Sequence, residues 1–133
     1  MTGLAIYAIL TSATPVTNIV GTRIFPDMAT QQAVYPFVVY EIGGTTPTNT
    51  KDGPSGLDEV SVNVMCYSNS YSEAQTLADK VRRALDRTSG THGGVVVQSI
   101  EFNNQFSTAM SFEKKVYIVE QDYTVREVRD GNV

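Results

Sequence analysis

Among its 133 residues the chain has one cysteine, one histidine and only 10 Lys and Arg, and each scarcity excludes a class of protein. A lone Cys66 closes no disulfide within the chain, which rules out a disulfide scaffold and fits a reducing compartment. One His and one Cys cannot make up a set of metal ligands at fixed spacing. With 14 Asp and Glu the formal charge is −4; too few cations are present for sequence-independent duplex binding, which depends on neutralising phosphates. Long apolar runs are missing too. Leu4 to Leu10 follows Met1, Thr2 and Gly3, with no basic region before it and no small-residue cleavage site after it, so it does not read as a signal peptide. It falls far short of the roughly 20 apolar residues that a spanning helix needs, so no membrane partner and synthesis in a cytoplasm are expected. What is present is a 41% apolar content in a chain of domain size. That predicts a single soluble domain over residues 1–133 that buries about two-thirds of its unfolded surface.

The apolar pattern then places the elements. Leu4, Tyr7, Ala8 and Leu10, with Ala5, Ile6 and Ile9, predict a short, mostly buried first helix ending near Ser12. Thr14 as cap, Pro15 and a stop at Gly21 predict a second helical turn. Arg23 to Phe25 reads as a brief extended piece, and the polar stretch from Asp27 to Tyr35 as a loop. Phe37 to Gly43, β-branched and aromatic after Pro36, predicts a strand. Gly44 to Gly56, dense in Thr, Asn, Gly and Pro, predicts a long loop. Val60, Val62, Val64 and Cys66 alternate with Ser61, Asn63, Met65 and Tyr67 as in a half-buried strand. Ser70 and Glu73 have the spacing of a capping box before Ala74, Leu77, Ala78, Val81, Ala84 and Leu85, a helix closed near Gly90. A strand from Val95 to Phe102 and a polar connection over Asn103 to Ser111 follow.

The last strand, Glu113 to Val128, changes phase. Val116 and Ile118 share a face that Glu120, Asp122, Thr124 and Arg126 continue as polar, while Val119, Tyr123 and Val125 make the opposite face apolar. Either a bulge resets the register near Val119 or the strand packs against something outside its own core. The order predicts an α+β domain: a mostly antiparallel sheet with a long helix and a short N-terminal helix on one face.

No group of residues carries catalysis. His92 sits in a Gly-rich turn and Cys66 lies in line with apolar side chains. Carboxylate pairs occur at Glu120 and Asp122, two apart on one strand, and at Asp58 and Glu59 at a strand entrance; the first would most simply serve a small hydrolase, but a solvated or interface-facing acidic strip is the simpler reading. The Gly53-Pro54-Ser55-Gly56 turn lacks the Gly-Lys-Ser/Thr ending of a phosphate loop. Arg82, Arg83 and Arg87 oppose the negative end of a helix dipole. No cofactor is expected.

Three stretches together carry a resemblance: Leu4 to Leu10; Gly21-Thr22-Arg23-Ile24-Phe25-Pro26-Asp27 followed by Tyr35-Pro36-Phe37-Val38-Val39-Tyr40; and Asp52-Gly53-Pro54-Ser55-Gly56-Leu57 leading to the Val-rich strand and the Ser70 to Leu85 helix. In that order, over roughly residues 4–128, the chain resembles the tail-completion, or tail-terminator, proteins of long-tailed bacteriophages. The resemblance implies an α+β subunit assembling as a ring, typically a hexamer, on the head-proximal end of the tail tube. There it stops tube polymerisation and joins the head-completion (stopper) protein, in the neck of a virion assembled in the host bacterial cytoplasm. It brings no catalytic residues. A tube or stopper subunit is the neighbouring alternative.

With that role in view, Val119, Tyr123 and Val125 are the expected subunit interface. Thr48, Asn49, Lys51, Asp52 and Pro54 in the polar loop are the expected partner contacts, because loops on a rigid scaffold carry recognition. Glu120 and Asp122 are the candidate acidic lining of a channel that lets DNA pass without binding it. Residues 129–133 read as a flexible extension.

Overall fold

The computed structural model describes residues 1–29, 33–50, 53–110 and 115–128. Helices α1 (Thr2–Ser12) and α2 (Thr14–Val20) come first, then strands β1 (Ile24–Pro26), β2 (Phe37–Thr50) and β3 (Gly53–Ser68). Helix α3 (Tyr71–Leu85) precedes β4 (Gly90–His92), β5 (Val95–Met110) and β6 (Val116–Val128). The strands form one sheet in the order β1-β2-β3-β6-β5-β4, antiparallel at each join except the parallel β1–β2 pair. This is the α+β arrangement expected.

All three helices pack on one face. Ile6 and Leu10 of α1, Val16 and Val20 of α2, and Leu77, Val81 and Leu85 of α3 share a core with Val60, Val62, Val64, Cys66, Val119, Tyr123 and Val125 of the sheet. Helix α3 forms where its apolar spacing demands, and its cap departs from the reciprocal box. The Glu73 N–H donates to Ser70 Oγ at 3.4 Å, while the Glu73 carboxylate accepts from Ser68 Oγ at 2.8 Å instead of reaching back to the Ser70 N–H. That N–H donates to Ser68 Oγ. The helix closes at Asp86, with Arg87 in the left-handed region at φ 63, so Gly90 opens β4 instead of ending α3. Helix α2 is preceded by Ala13 and has no side-chain cap, so Thr14 does not act as one.

Three expectations are corrected by the pairing. The stretch read as a loop over Gly44 to Gly56 is the outer part of a β2–β3 arm, paired from Thr45 opposite Val60 to Thr50 opposite Gly53 after a register shift between Ile42 and Thr45 and through a second between Pro47 and Asn49. Turn-rich residues tolerate this because the arm needs only backbone pairing, and Pro47 is tolerated on an edge strand. The polar stretch from Asn103 likewise continues β5 to Met110, carried along β6. Finally, β6 has no bulge: it pairs with β3 without interruption from Val128 opposite Leu57 to Tyr117 opposite Ser68.

The change of phase in β6 has another cause. At one end the sheet is covered on both faces: Val116 and Ile118 join Phe37, Val39 and Met65 in a second cluster, over which Phe25, Ala29, Ala33 and Tyr35 pack. Phe37 stacks between Tyr35 and Tyr67 at centroid distances of 5.1 and 4.6 Å. Val119, Tyr123 and Val125 point the other way, beneath the helices, and are at most 1% exposed. They therefore belong to the subunit's own core, and the expectation that they meet a neighbour is corrected.

Candidate assembly surfaces

Under α3 the core holds one polar knot. Gln121, fully buried, donates through Nε2 to the Ala78 carbonyl and to Gln105 Oε1, both at 2.8 Å, and accepts from the Tyr123 hydroxyl at 2.7 Å. Burial pushes the Tyr123 phenol well above its ordinary range, so it stays a donor. Each group is satisfied, and the knot ties α3 to β5 and β6. The sequence placed a polar residue there without a reason for it; Gln121 shares the apolar face of β6.

Cys66 is fully buried, and desolvation pushes its thiol up to about 12. The thiol is therefore neutral and sheltered, and iodoacetamide at pH 8 is expected to modify it only after the chain unfolds, which mass spectrometry of native and urea-treated samples reads directly. A raised folded-state value also sets a sign. The stabilisation is fully present below pH 9, the unfolded thiol's range, and is lost as pH climbs from there towards 12. His92 turns its Nε2 to the Ser89 carbonyl at 2.9 Å. Among the described residues no group of His, Cys, Asp and Glu is arranged to hold a metal ion.

The sheet face away from the helices is acidic across its middle. Glu41, Asn63, Asp122 and Asn104 occupy one row across β2, β3, β6 and β5. Asn63 Nδ2 donates to Asp122 at 2.8 Å. Two rows along, Glu120 lies opposite Met65, and after burial the charges of Glu120 and Glu41 are the largest influences raising the Tyr67 phenol. Further along, Arg126 bridges Glu59 at 3.2 Å and Glu101 at 3.4 Å, both partly exposed, so the pairs neutralise charge and add little stability. Glu120 and Asp122 thus stand together on the same open face, as the strand alternation implied.

Among the described residues both flanks of the sheet end in strand that no further strand covers. On one side β1 covers β2 only from Val38 to Tyr40, and the Asp27 N–H closes the Tyr40 carbonyl. From Ile42 on, the outer edge of β2 has no strand beside it among the described residues. On the other side β4 covers β5 from Val95 to Val97, the Arg87 N–H takes the Ile100 carbonyl, and Asp86 accepts the Phe102 N–H. From Asn104 to Met110 the outer edge of β5 has no strand beside it among the described residues. Exposed edges of this length are what a monomer avoids and an assembling subunit uses. Of the expected partner contacts, Thr48 and Asn49 lie in β2 and Pro54 in β3, at the end of the arm, while Lys51 and Asp52 fall outside the described residues, as do residues 129–133.

Among the described residues the chain is a helix-backed sheet with two open edges, and such edges are what an assembling subunit uses. The sequence profile of the tail completion protein gp17 family matches residues 4–127. The chain belongs to that family and is a structural component of a phage tail. Its fold is similar to a chain in the virion of a native gene transfer agent particle, with a TM-score of 0.69 at 14% identity over 92% of this chain and 91% of that one. No curated protein sequence matches it.

Proposed function

We propose that copies of this chain close into a ring, six in number by the family resemblance, on the head-proximal end of the tail tube. The ring ends tube polymerisation, joins the tail to the head-completion (stopper) protein and leaves a channel for DNA. The observation that carries this reading is the pair of open edges on opposite flanks of one sheet. Two different surfaces on one subunit make a head-to-tail contact, and head-to-tail contacts close into rings when the rotation per copy allows it. The β2–β3 arm, with Thr48, Asn49 and Pro54 near its end, reaches the tube or the stopper through these residues together with Lys51 and Asp52. At −4 per chain, six copies sum to about −24, and such a field repels DNA phosphates instead of holding them. Assembly takes place in the host bacterial cytoplasm.

Light scattering and negative-stain imaging of the chain mixed with its tube protein test this. Closed rings that cap tubes and stop their growth are the expected result. A strictly monomeric species at tens of micromolar with tube protein present would contradict it, and long tubes grown from this chain alone would make it a tube subunit.

A further inference from the structure

Resting on the ring reading above, we infer that neighbouring copies join through an antiparallel seam between β5 of one and β2 of the next, with the helices outside and the Glu41–Asn63–Asp122 face lining the bore. The open part of β5, Asn104 to Met110, lies beside β6 residues Val116 to Asp122. The open part of β2 begins at Ile42, which aligns through Val62 with Tyr123, and runs on through Thr46 and Pro47, which align with Arg126 and Glu127. The two open stretches share no row of the sheet. A level joint is therefore blocked: it would set β5 against β1, and β2 against β4. The short edge strands act as stops, and the seam forms only when each copy is displaced along the strands relative to the last.

The size of that displacement has a consequence. Bringing the open stretches side by side takes an offset of about five to seven residues for each set of four strands. At about 3.4 Å per residue and about 4.8 Å per strand, this tilts the strands by roughly 40–50° from the ring axis. Closed barrels hold their strands at about 35–45°. The directions agree as well, because β2 and β5 run antiparallel within one sheet and so remain antiparallel across the seam. Each edge also carries an exposed apolar side chain that the joint covers, Ile42 at 37% on one flank and Phe106 at 48% on the other.

The hand of the tilt selects the face. β3 and β5 are parallel, with α3 crossing between them on the helix-bearing face, and such crossovers are right-handed in about 98% of cases. Seen from that face with β3 running upward, β5 lies to the right of β3. Its open stretch is then at the upper right, and that of β2 at the lower left. Every next copy must rise, so the strands lean to the right about the ring axis. A right-leaning strand seen from outside gives neighbouring strands the negative rotation, about −20 to −25°, that sheets naturally have. Turning the helices inward would reverse the lean and oppose the twist. The helices therefore face out, and Glu41, Glu120 and Asp122 face the channel.

Paired cysteines test the seam in assembled rings. Ser107→Cys combined with Thr45→Cys is expected to give a ladder of disulfide-linked copies on mild oxidation, because only an offset of about six residues brings these positions within the 4.4–6.8 Å between Cα atoms that a disulfide spans. Asn104→Cys with Glu41→Cys, which share a row within one subunit, is expected to give none. Rings of unchanged mass that link through the second pair, or through neither, would overturn the seam while leaving the ring intact. A chain that never forms rings overturns the ring reading instead. For the facing, Glu120→Cys labelled with a thiol-reactive gold cluster is expected to place density near the ring axis in class averages. Density at the rim would overturn it.

Discussion

Replacing Tyr123 with alanine is expected to cost the folded subunit about 3–5 kcal/mol, from the cavity left by a buried aromatic ring. A further 1–3 kcal/mol, roughly, follows from stranding the Gln121 carbonyl that the Tyr123 hydroxyl satisfies. Small domains are stable by only about 5–15 kcal/mol, so this one change removes much or all of the margin. Phe102 packs edge-on against the same ring at 5.7 Å and carries the Arg82 guanidinium on its own face at 3.8 Å, so the loss spreads to the β5 flank. Urea unfolding at a concentration where the chain is dispersed reads the effect as a large fall in midpoint. Tyr123→Phe keeps the ring and loses only the hydrogen bond, for about 1–3 kcal/mol. The pair of variants separates two roles. A side chain that served a neighbouring subunit would lower assembly and leave the dispersed subunit's midpoint unchanged.

Gly93→Ala is the second change with a large effect. Gly93 sits at φ +58, and a Cβ there would stand 2.6 Å from the Leu4 carbonyl oxygen and 3.1 Å from its carbon. Those are backbone atoms of α1, which cannot swing aside as a side chain would. The helix has to move away from the β4–β5 turn, and the combined strain and repacking is expected to cost about 2–4 kcal/mol. Gly94 is the internal control. It also has a positive φ, +78, but a Cβ there meets nothing within 4 Å, so Gly94→Ala should cost only about 1–2 kcal/mol from backbone strain. Equal losses at the two positions would mean that α1 is not seated on the turn as described.

The elements legible in the sequence were those whose signal is local. Helix α3 announces itself through Ser70 and the spacing of Ala74, Leu77, Ala78, Val81 and Leu85, and the alternation from Val60 to Cys66 fixes which side of β3 faces the helices. The rest depended on partners distant in the chain. Thr45 to Thr50 has the composition of a loop and is a strand because β3 folds back along it. Asn103 to Met110 is a strand because β6 runs beside it.

Val116 and Ile118 looked out of phase because nothing in the sequence says that Phe37, Val39 and Met65 cover the second face at that end. Val119, Tyr123 and Val125 show the same gap: alternation makes their face apolar, but only the fold shows that its cover is the subunit's own helix layer. Glu120 and Asp122 were placed on one open face by alternation alone. The open edges could not be read in advance, since an edge exists only once strand order is known.

Particles assembled without this chain test the central claim most directly, by the length of their tails and their attachment to heads. The ring account predicts tails of irregular length that fail to join heads, with both defects corrected when the purified chain is added back. Tails of normal, uniform length joined to heads in its absence would contradict it.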